Sequence, residues 1–314
     1  MKGLELARAY YEECGAPMLK EQFPELLPHL AVGLCGSGSE CFGFDDEVSR
    51  DHDFEPGFCI FLPGEDVVDR KQAFSLERAY AKLPKEFRGF WRQTLAPVGG
   101  ARHGVLRTAE FFAEKCGRPD GGLTTAQWLA VPEQALAEAT NGEIWYDGCG
   151  EVTRIRSELA EFPEDVRRKK LAGYLLLMAQ AGQYNYRRCL AHGETAAAQL
   201  AVIEFAQSAT SVIFLLNGRY QPYYKWSFRA LRALPVLSLD AELLEFLITT
   251  DNDGENAEEK YDTIESIAAD VIDELIDRGL TQAICGDLEK HAYSVNDGIE
   301  DAGLRNMHVL GGVL

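Results

Sequence analysis

The pattern of apolar residues changes along the chain, and this change restricts the fold more than any other feature of the sequence. Up to about residue 160 the apolar residues form short runs, HLAVGLC at 29–35, FCIFL at 58–62, HGVLRT at 103–108 and GEIWYD at 142–147. Runs of this length predict short buried strands. From the helix-start signature at residues 163–165 onward, long segments with helical spacing follow instead. We therefore expect an α+β protein, with strands and helices first and a helical bundle after them.

The chain is long enough for two domains. Its 314 residues exceed the usual domain length of about 100 to 200 residues. We expect an α/β domain over residues 1–160, which includes N-terminal helices within 3–28, and an α-helical domain over residues 161–314. The spacing of apolar residues predicts further helices in both. These predicted helices span residues 73–93, 109–116, 124–140, 165–184, 194–217, 223–234, 240–248 and 258–278.

Composition excludes several classes of protein. The formal net charge of −19 disfavours a nucleic-acid polymer as partner, because such binding needs clustered Lys and Arg. The eight cysteines are scattered, and none forms a Cys-x-x-Cys pair of the kind found in zinc sites. The N-terminus has acidic residues where a signal peptide has an apolar segment, and no apolar run approaches the roughly 20 residues of a membrane span. We expect a cytoplasmic protein that does not bind membranes.

Residues 35–54, CGSGSECFGFDDEVSRDHDF, lie between the first two predicted strands and carry the candidate chemistry. Glycine after a strand allows backbone N–H groups to approach a phosphate, so Gly36 and Ser37 are candidate phosphate-binding residues. Asp51 and Asp53 project from one face of an extended segment, since side chains two residues apart in a strand share a face. Their mutual repulsion is relieved by a divalent cation, and Mg²⁺ with a nucleoside triphosphate fits such a site. The alternative is an exposed turn with two solvated aspartates.

This arrangement resembles the signature of the nucleotidyltransferase superfamily, which has the polymerase β-like fold. The matching features are an apolar strand, Gly36-Ser37, about a dozen residues, and then Asp51-x-Asp53 followed by an apolar residue. The segments GSGSECFGFDDEVSRDHDFEPGF, GQYNYRRC and FLLNGRYQPYYKWSFRALRALP are similar to a bacterial family, described as a domain of unknown function, within that superfamily. The similarity extends from about residue 30 to about residue 235.

The resemblance implies a small mixed β-sheet flanked by helices, followed by a helical C-terminal domain like that of aminoglycoside nucleotidyltransferases. It implies Mg²⁺-dependent transfer of a nucleotidyl group from an NTP to a hydroxyl of a small-molecule acceptor, or of a protein. Gly36 and Ser37 would bind the β- and γ-phosphates, and Asp51 and Asp53 would be the catalytic carboxylates that bind Mg²⁺.

The superfamily usually has a third carboxylate on a later strand, and here the segment HGVLRT has none. Asp147 at the end of the last predicted strand is the first candidate, ahead of Glu110 and Glu151. Without a third carboxylate, the alternative function is a catalytically silent nucleotide-binding or regulatory module.

Two segments of the second half combine aromatic rings with cations, YNYRR at 184–188 and YQPYYKW at 220–226. Aromatic side chains stack on bases and cations neutralise phosphate, so Tyr184, Arg187, Lys225 and Arg229 are candidate nucleotide-binding residues. Lys225 and Arg229 lie four residues apart and share a helix face. The alternative is that the aromatics are packing residues and the cations pair with the many carboxylates of the chain.

Overall fold

The computed structural model describes residues 1–48, 54–92 and 103–313. The fold is α+β, with a small mixed sheet and many helices, as the sequence predicted. The chain forms two compact units. The first comprises Met1–Thr124 and Val131–Ala160, and the second comprises Thr125–Ala130 and Glu161–Leu314.

A four-stranded sheet is the centre of the first unit. Its strands are β1 (Ala31–Leu34), β2 (Cys59–Leu62), β5 (Gly104–Arg107) and β6 (Glu143–Asp147), in the order β5-β2-β1-β6. Strand β1 is antiparallel to both β2 and β6, whereas β2 and β5 are parallel, so the sheet is mixed. All four residues of β1 and of β2 are buried, which explains why these strands are continuous apolar runs.

The register of the strands shows which strand ends lie together at the two opposite ends of the sheet, and we call each of these ends an edge. Leu34 pairs with Glu143 and Gly33 pairs with Cys59, so β1 ends where β2 and β6 begin. We call this the Gly36 edge, because Gly36 lies two residues after the end of β1. Ala31 pairs with Phe61 and with Asp147 at the other edge, which we call the Asp147 edge.

Helices complete the first unit. They are α1 (Gly3–Tyr10), α2 (Ala16–Gln22), α3 (Arg70–Ala81), α4 (Thr108–Cys116), α6 (Glu133–Thr140) and α7 (Glu151–Glu158), and a π-helix, Tyr11–Gly15, joins α1 to α2. One apolar core is formed by residues from α1, α3, β1 and β2, among them Leu6, Val32, Ile60 and Leu76. Helix α4 packs on the sheet through Phe111, whose ring lies 5.3 Å from that of Phe61.

Two predicted helices differ from those observed. The predicted helix at 73–93 ends at Ala81 and is followed by a hairpin of β3 (Glu86–Phe87) and β4 (Phe90–Trp91). Arg88 and Gly89 both have positive φ, as a tight hairpin turn requires. The predicted helix at 124–140 is two helices, α5 (Thr125–Ala130) in the second unit and α6 in the first, because Pro132 precedes α6 and interrupts the helix.

The second unit is a helical bundle. Besides α5 it contains α8 (Glu164–Met178), α9 (Arg187–Ala191), α10 (Thr195–Leu216), α11 (Tyr224–Leu231), α12 (Asp240–Thr249), α13 (Glu255–Asp277), α14 (Leu288–Asp297) and α15 (Ala302–Asn306). A π-helix, Ala179–Tyr186, joins α8 to α9. Helices α14 and α15 have no counterpart among the helices predicted from the sequence.

Helix α10 is the central helix of the second unit. Residues 208–216 are all buried, as its apolar composition predicted. By length and composition α10 does reach the dimensions of a membrane span, contrary to the sequence-based expectation, but 67% of its apolar window is buried inside the protein. The core of a soluble protein accounts for such a helix.

Candidate functional site

The Gly36-Ser37 turn is fixed by the side chain of Asn141. The Asn141 amide nitrogen donates to the Gly36 carbonyl at 2.7 Å, and its amide oxygen accepts from the Gly36 N–H at 2.8 Å. Gly36 has φ +123°, and a Cβ built on it meets no atom within 4 Å. Glycine is therefore required here by backbone conformation and not by lack of space.

Ser37 belongs to a cluster of three polar side chains. Its hydroxyl donates to Glu138 Oε2 at 3.1 Å, and Lys115 Nζ donates to Ser37 Oγ at 3.3 Å and to Glu138 Oε2 at 2.8 Å. Gln134 Nε2 donates to the other oxygen, Glu138 Oε1, at 3.1 Å. Helices α4 and α6, which pack together, supply Lys115 and Glu138.

The Lys115–Glu138 ion pair is largely removed from solvent, with side-chain exposures of 12% and 10%. Burial lowers the pKa of Lys115, but the hydrogen bond to Glu138 and its charge outweigh burial and hold the lysine pKa above its usual value. Burial raises the pKa of Glu138, and hydrogen bonds from Lys115 and Gln134 bring that pKa below its usual value. Both groups are therefore charged at neutral pH.

The turn forms one wall of a cavity of about 480 Å³. Residues from α4 and from the end of β5 line the same cavity. Its lining residues are Leu34, Cys35, Gly36, Ser37, Gly38, Glu40, Cys41, Leu106, Arg107, Glu110, Phe111, Glu114 and Lys115. A cavity of this size accommodates a nucleotide-sized ligand.

The predicted metal ligands Asp51 and Asp53 lie outside the described residues. Among the residues that the structure describes, no group of three or more His, Cys, Asp or Glu side chains is arranged to hold a metal ion. Three carboxylate side chains, those of Glu40, Glu110 and Glu114, are among the residues that line the cavity.

The three candidates for a third carboxylate lie in different places. Asp147 is at the Asp147 edge of the sheet, and its carboxylate accepts from the N–H groups of Gly150 and Thr153 at 2.8 Å each, so it caps the start of α7. Glu151 is the first residue of α7. The structure does not bring Asp147 together with Gly36, whereas Glu110 lines the same cavity as Gly36 and Ser37.

Two of the residues predicted to bind nucleotide in the second unit lie near another cavity, of about 610 Å³. Tyr184 lines it, as do Tyr261, Glu265, Asp287 and Glu289. The Arg187 guanidinium lies 3.6 Å from the centre of the Tyr261 ring and pairs with Glu258 at 2.6 Å. This pairing with a carboxylate matches the alternative prediction for Arg187.

Lys225 and Arg229 are exposed on α11 and do not line this cavity. Lys225 Nζ lies 5.0 Å from the centre of the Trp226 ring. The four predicted residues of the second unit therefore do not all line one cavity.

Sequence reasoning missed Lys115, Glu138 and Asn141. Lys115 and Glu138 lie on ordinary amphipathic helices, and their partnership arises only from the packing of α4 on α6. For Asn141 the sequence does contain one indication, the Asn141-Gly142 pair before β6, since Asn-Gly is typical of a tight turn at a strand end.

One family model, a domain of unknown function (DUF4037), matches residues 128–227 of the chain. The matched segment includes α6, β6 and the helices up to α10, and it does not extend to Gly36. The small mixed sheet with helices fits a nucleotidyltransferase-like fold. No match was found among curated proteins.

Proposed function

We propose that the protein is an Mg²⁺-dependent nucleotidyltransferase, which transfers a nucleotidyl group from an NTP such as ATP to a hydroxyl of a small-molecule acceptor. One observation carries the proposal. The Gly36-Ser37 turn, locked by Asn141, lines a nucleotide-sized cavity together with a lysine and three carboxylates. Phosphate-binding and metal-binding groups are both needed for phosphoryl chemistry, and this cavity offers candidates for both.

In the proposed site the residues have separate roles. The Gly36-Ser37 turn binds the β- and γ-phosphates, and Asp51 and Asp53 hold Mg²⁺. When bound, Mg²⁺ neutralises charge on the phosphates and favours attack at phosphorus. We assign the third carboxylate to Glu110 instead of Asp147, because Glu110 lines the cavity whereas Asp147 caps α7. The oxygen of the acceptor hydroxyl attacks the α-phosphorus, the bond from that phosphorus to pyrophosphate breaks and pyrophosphate leaves, and Glu110 accepts the proton of the hydroxyl.

The proposed location is the cytoplasm. All eight cysteines lie within the described residues and are free thiols. Free thiols persist in a reducing compartment. The strongly acidic surface also favours a small-molecule acceptor over a nucleic-acid polymer.

Nucleotide binding is tested by thermal shift of the purified protein with each of the four NTPs, with and without Mg²⁺. A ligand at about 100 times its Kd adds roughly 2.7 kcal/mol of stability, which raises Tm by several degrees. We expect this shift in the wild type with at least one NTP and Mg²⁺. The double variant Asp51→Asn, Asp53→Asn should lose the Mg²⁺-dependent part of the shift. Asp66→Asn, at an exposed position of the same unit, is the control for lost charge.

Transfer is tested by incubation with α-labelled NTP and a panel of hydroxyl-bearing acceptors, with Glu110→Gln as the diagnostic variant. We expect Glu110→Gln to keep NTP binding and to reduce transfer about 100-fold or more, the usual contribution of a general base. No NTP-dependent shift in the wild type would refute the proposed function. NTP binding without transfer to any acceptor would favour the catalytically silent nucleotide-binding module.

A further inference from the structure

The Lys115 ammonium is placed at the cavity wall with three oxygen partners. These are Glu138 Oε2 at 2.8 Å, Glu114 Oε1 at 3.3 Å and Ser37 Oγ at 3.3 Å. Two of them are fixed, since Glu138 is buried and Ser37 follows the locked Gly36 peptide. The third partner, Glu114, is not fixed in this way, because its side chain is 74% exposed.

These three partners differ in how readily a ligand replaces them. An ion pair with an exposed carboxylate contributes little, about 0 to 1 kcal/mol, so Glu114 is easily displaced by an anion. Removing Lys115 from Glu138 would instead leave a buried carboxylate without its cation, which is strongly unfavourable. An anion that enters the cavity can therefore take the place of Glu114 while Lys115 remains bonded to Glu138 and Ser37.

The charges of the cavity leave Lys115 as the group best suited to bind an anion. Among the described residues that line it, the cations are Arg107 and Lys115. Arg107 donates from Nη1 to the carbonyls of Pro63 and Val68, at 2.6 and 2.8 Å, so its guanidinium is already engaged in hydrogen bonds to the backbone. Without Lys115 the carboxylates of the cavity would repel a phosphate chain.

The Ser37 hydroxyl is already committed as a donor. Its single proton goes to Glu138 Oε2, and its oxygen accepts from Lys115. A serine hydroxyl has one proton to donate, so in this arrangement it has none for a phosphate oxygen.

We propose that Lys115 is the residue that binds the polyphosphate chain at the Gly36-Ser37 turn, by exchange of its Glu114 contact for a phosphate oxygen. Glu138 and the Ser37 hydroxyl are positioning residues that hold the ammonium in place. The ligand class is a polyphosphate, whether free inorganic triphosphate or the phosphates of an NTP. The proposal rests on the proposed function for the location of the phosphates, and it adds the group that binds them.

The test measures binding of inorganic triphosphate, without metal, by isothermal titration calorimetry. We expect Lys115→Met to weaken binding about tenfold or more, since a hydrogen bond between charged groups is lost. Lys115→Arg, which keeps the charge, should stay within about threefold of the wild type. Lys71→Met, an exposed lysine on α3, removes the same charge away from the cavity and should leave affinity unchanged.

The positioning residues give readouts that a merely structural role does not. Glu138→Gln keeps an oxygen that accepts from Lys115 but removes the competing negative charge, so it should bind triphosphate several-fold more tightly than the wild type. Ser37→Ala removes one of the two fixed oxygens that hold the Lys115 ammonium but keeps the cation and its bond to Glu138, so it should weaken binding by less than Lys115→Met does. Thermal melts of every variant identify any that does not fold, and Glu138→Gln then still provides a test through a gain of affinity.

The outcomes separate this proposal from the proposed function. Wild-type affinity in Lys115→Met, or a loss of binding in Ser37→Ala that exceeds the loss in Lys115→Met, would overturn the role of Lys115 even if nucleotidyl transfer is observed. Loss of triphosphate binding in Lys115→Met, together with no transfer to any acceptor, would support Lys115 and refute the reaction. A wild type that binds neither triphosphate nor any NTP would overturn both.

Discussion

At the scale of single residues, Asn141 has the clearest structural role in the candidate site. Its amide donates to and accepts from the Gly36 peptide, at 2.7 and 2.8 Å, across 105 residues of chain. This contact joins the end of β1 to the start of β6. It also fixes the peptide that precedes Ser37, so the position of the turn depends on it.

We predict that Asn141→Asp destabilises the first unit. Aspartate has nearly the same shape, but an oxygen replaces the donating nitrogen and faces the Gly36 carbonyl, which leaves that carbonyl opposite a negative charge. A loss of roughly 1 to 3 kcal/mol in the free energy of unfolding is expected. Urea denaturation followed by circular dichroism measures it.

The control for this prediction is Gln22→Glu, the same chemical change at an exposed position at the end of α2. It should change stability by less than about 0.5 kcal/mol. Equal stability of Asn141→Asp and wild type would mean that the two hydrogen bonds do not fix the turn.

The sequence was informative about these residues only where chemistry is local. Gly36 and Ser37 come two and three residues after the end of β1, so their positions could be predicted from the pattern alone. Lys115 and Glu138 could not be, because 23 residues separate them and their contact depends on how α4 packs on α6. Asp147 illustrates the same limit. Its strand was predicted from the sequence, but the antiparallel pairing that places Asp147 at the opposite edge of the sheet from Gly36 was not.

At the scale of elements, the start of β2 is fixed by Tyr80 of α3. The Tyr80 hydroxyl donates to the Phe58 carbonyl at 2.8 Å and accepts from the Phe58 N–H at 3.0 Å. The same carbonyl accepts from Gly104 N at 2.9 Å, at the start of β5. One side chain therefore links α3 to the edge at which two strands begin.

We predict that Tyr80→Phe lowers the free energy of unfolding by roughly 1 to 3 kcal/mol, because the buried Phe58 N–H loses its partner. The ring remains, so its packing against Phe58 at 5.0 Å is retained. Chemical denaturation gives the stability change, and hydrogen exchange at Phe58 locates it. Tyr293→Phe, at an exposed tyrosine, is the matched control. Protection of the Phe58 amide equal to that of the wild type would contradict the prediction.

Elements were predicted well where one pattern dominates and poorly where two compete. The short apolar runs of the sequence agree with the four sheet strands to within two residues at each end. The segment after Ala81 was predicted as helix because Leu83 continues the helical spacing of Leu76 and Tyr80. Pro84 and the Arg88-Gly89 turn favour the hairpin instead, and pairing of Phe87 with Phe90 stabilises it.

At the scale of the whole molecule, the net charge of −19 places many carboxylates near one another, and the carboxylate of Asp240 is among those that are buried. Asp240, the first residue of α12, is 3% exposed. Burial, the charge of Asp270 and a hydrogen bond with Asp270 together raise the pKa of Asp240 to about 7, and burial is the largest of these causes. The acidity of the chain therefore affects the stability of the second unit through this pair.

The direction in which the free energy of unfolding changes with pH follows from the pKa of Asp240 in the unfolded and in the folded protein. The unfolded Asp240 loses its proton near its ordinary pKa of about 3.9, whereas the folded residue keeps it until pH approaches 7. Between these values the folded state binds more protons, so this residue makes the free energy of unfolding fall as pH rises from about 5 to 7. Other carboxylates titrate below pH 5, which makes the window from 5 to 8 the informative one.

We predict that Asp240→Asn, which is neutral at every pH, stabilises the protein by roughly 1 to 2 kcal/mol at pH 8 relative to the wild type, and by much less at pH 5. Denaturation in urea at pH 5, 6, 7 and 8 measures the difference between the two proteins. Asp273→Asn removes an exposed charge from α13 and should show a pH-independent difference from the wild type. A constant difference between Asp240→Asn and wild type across this range would mean that Asp240 is already ionised in the folded protein at pH 5. A difference that grows with pH, and that shrinks in Asp270→Asn, would establish buried Asp240, in contact with the exposed Asp270, as the source.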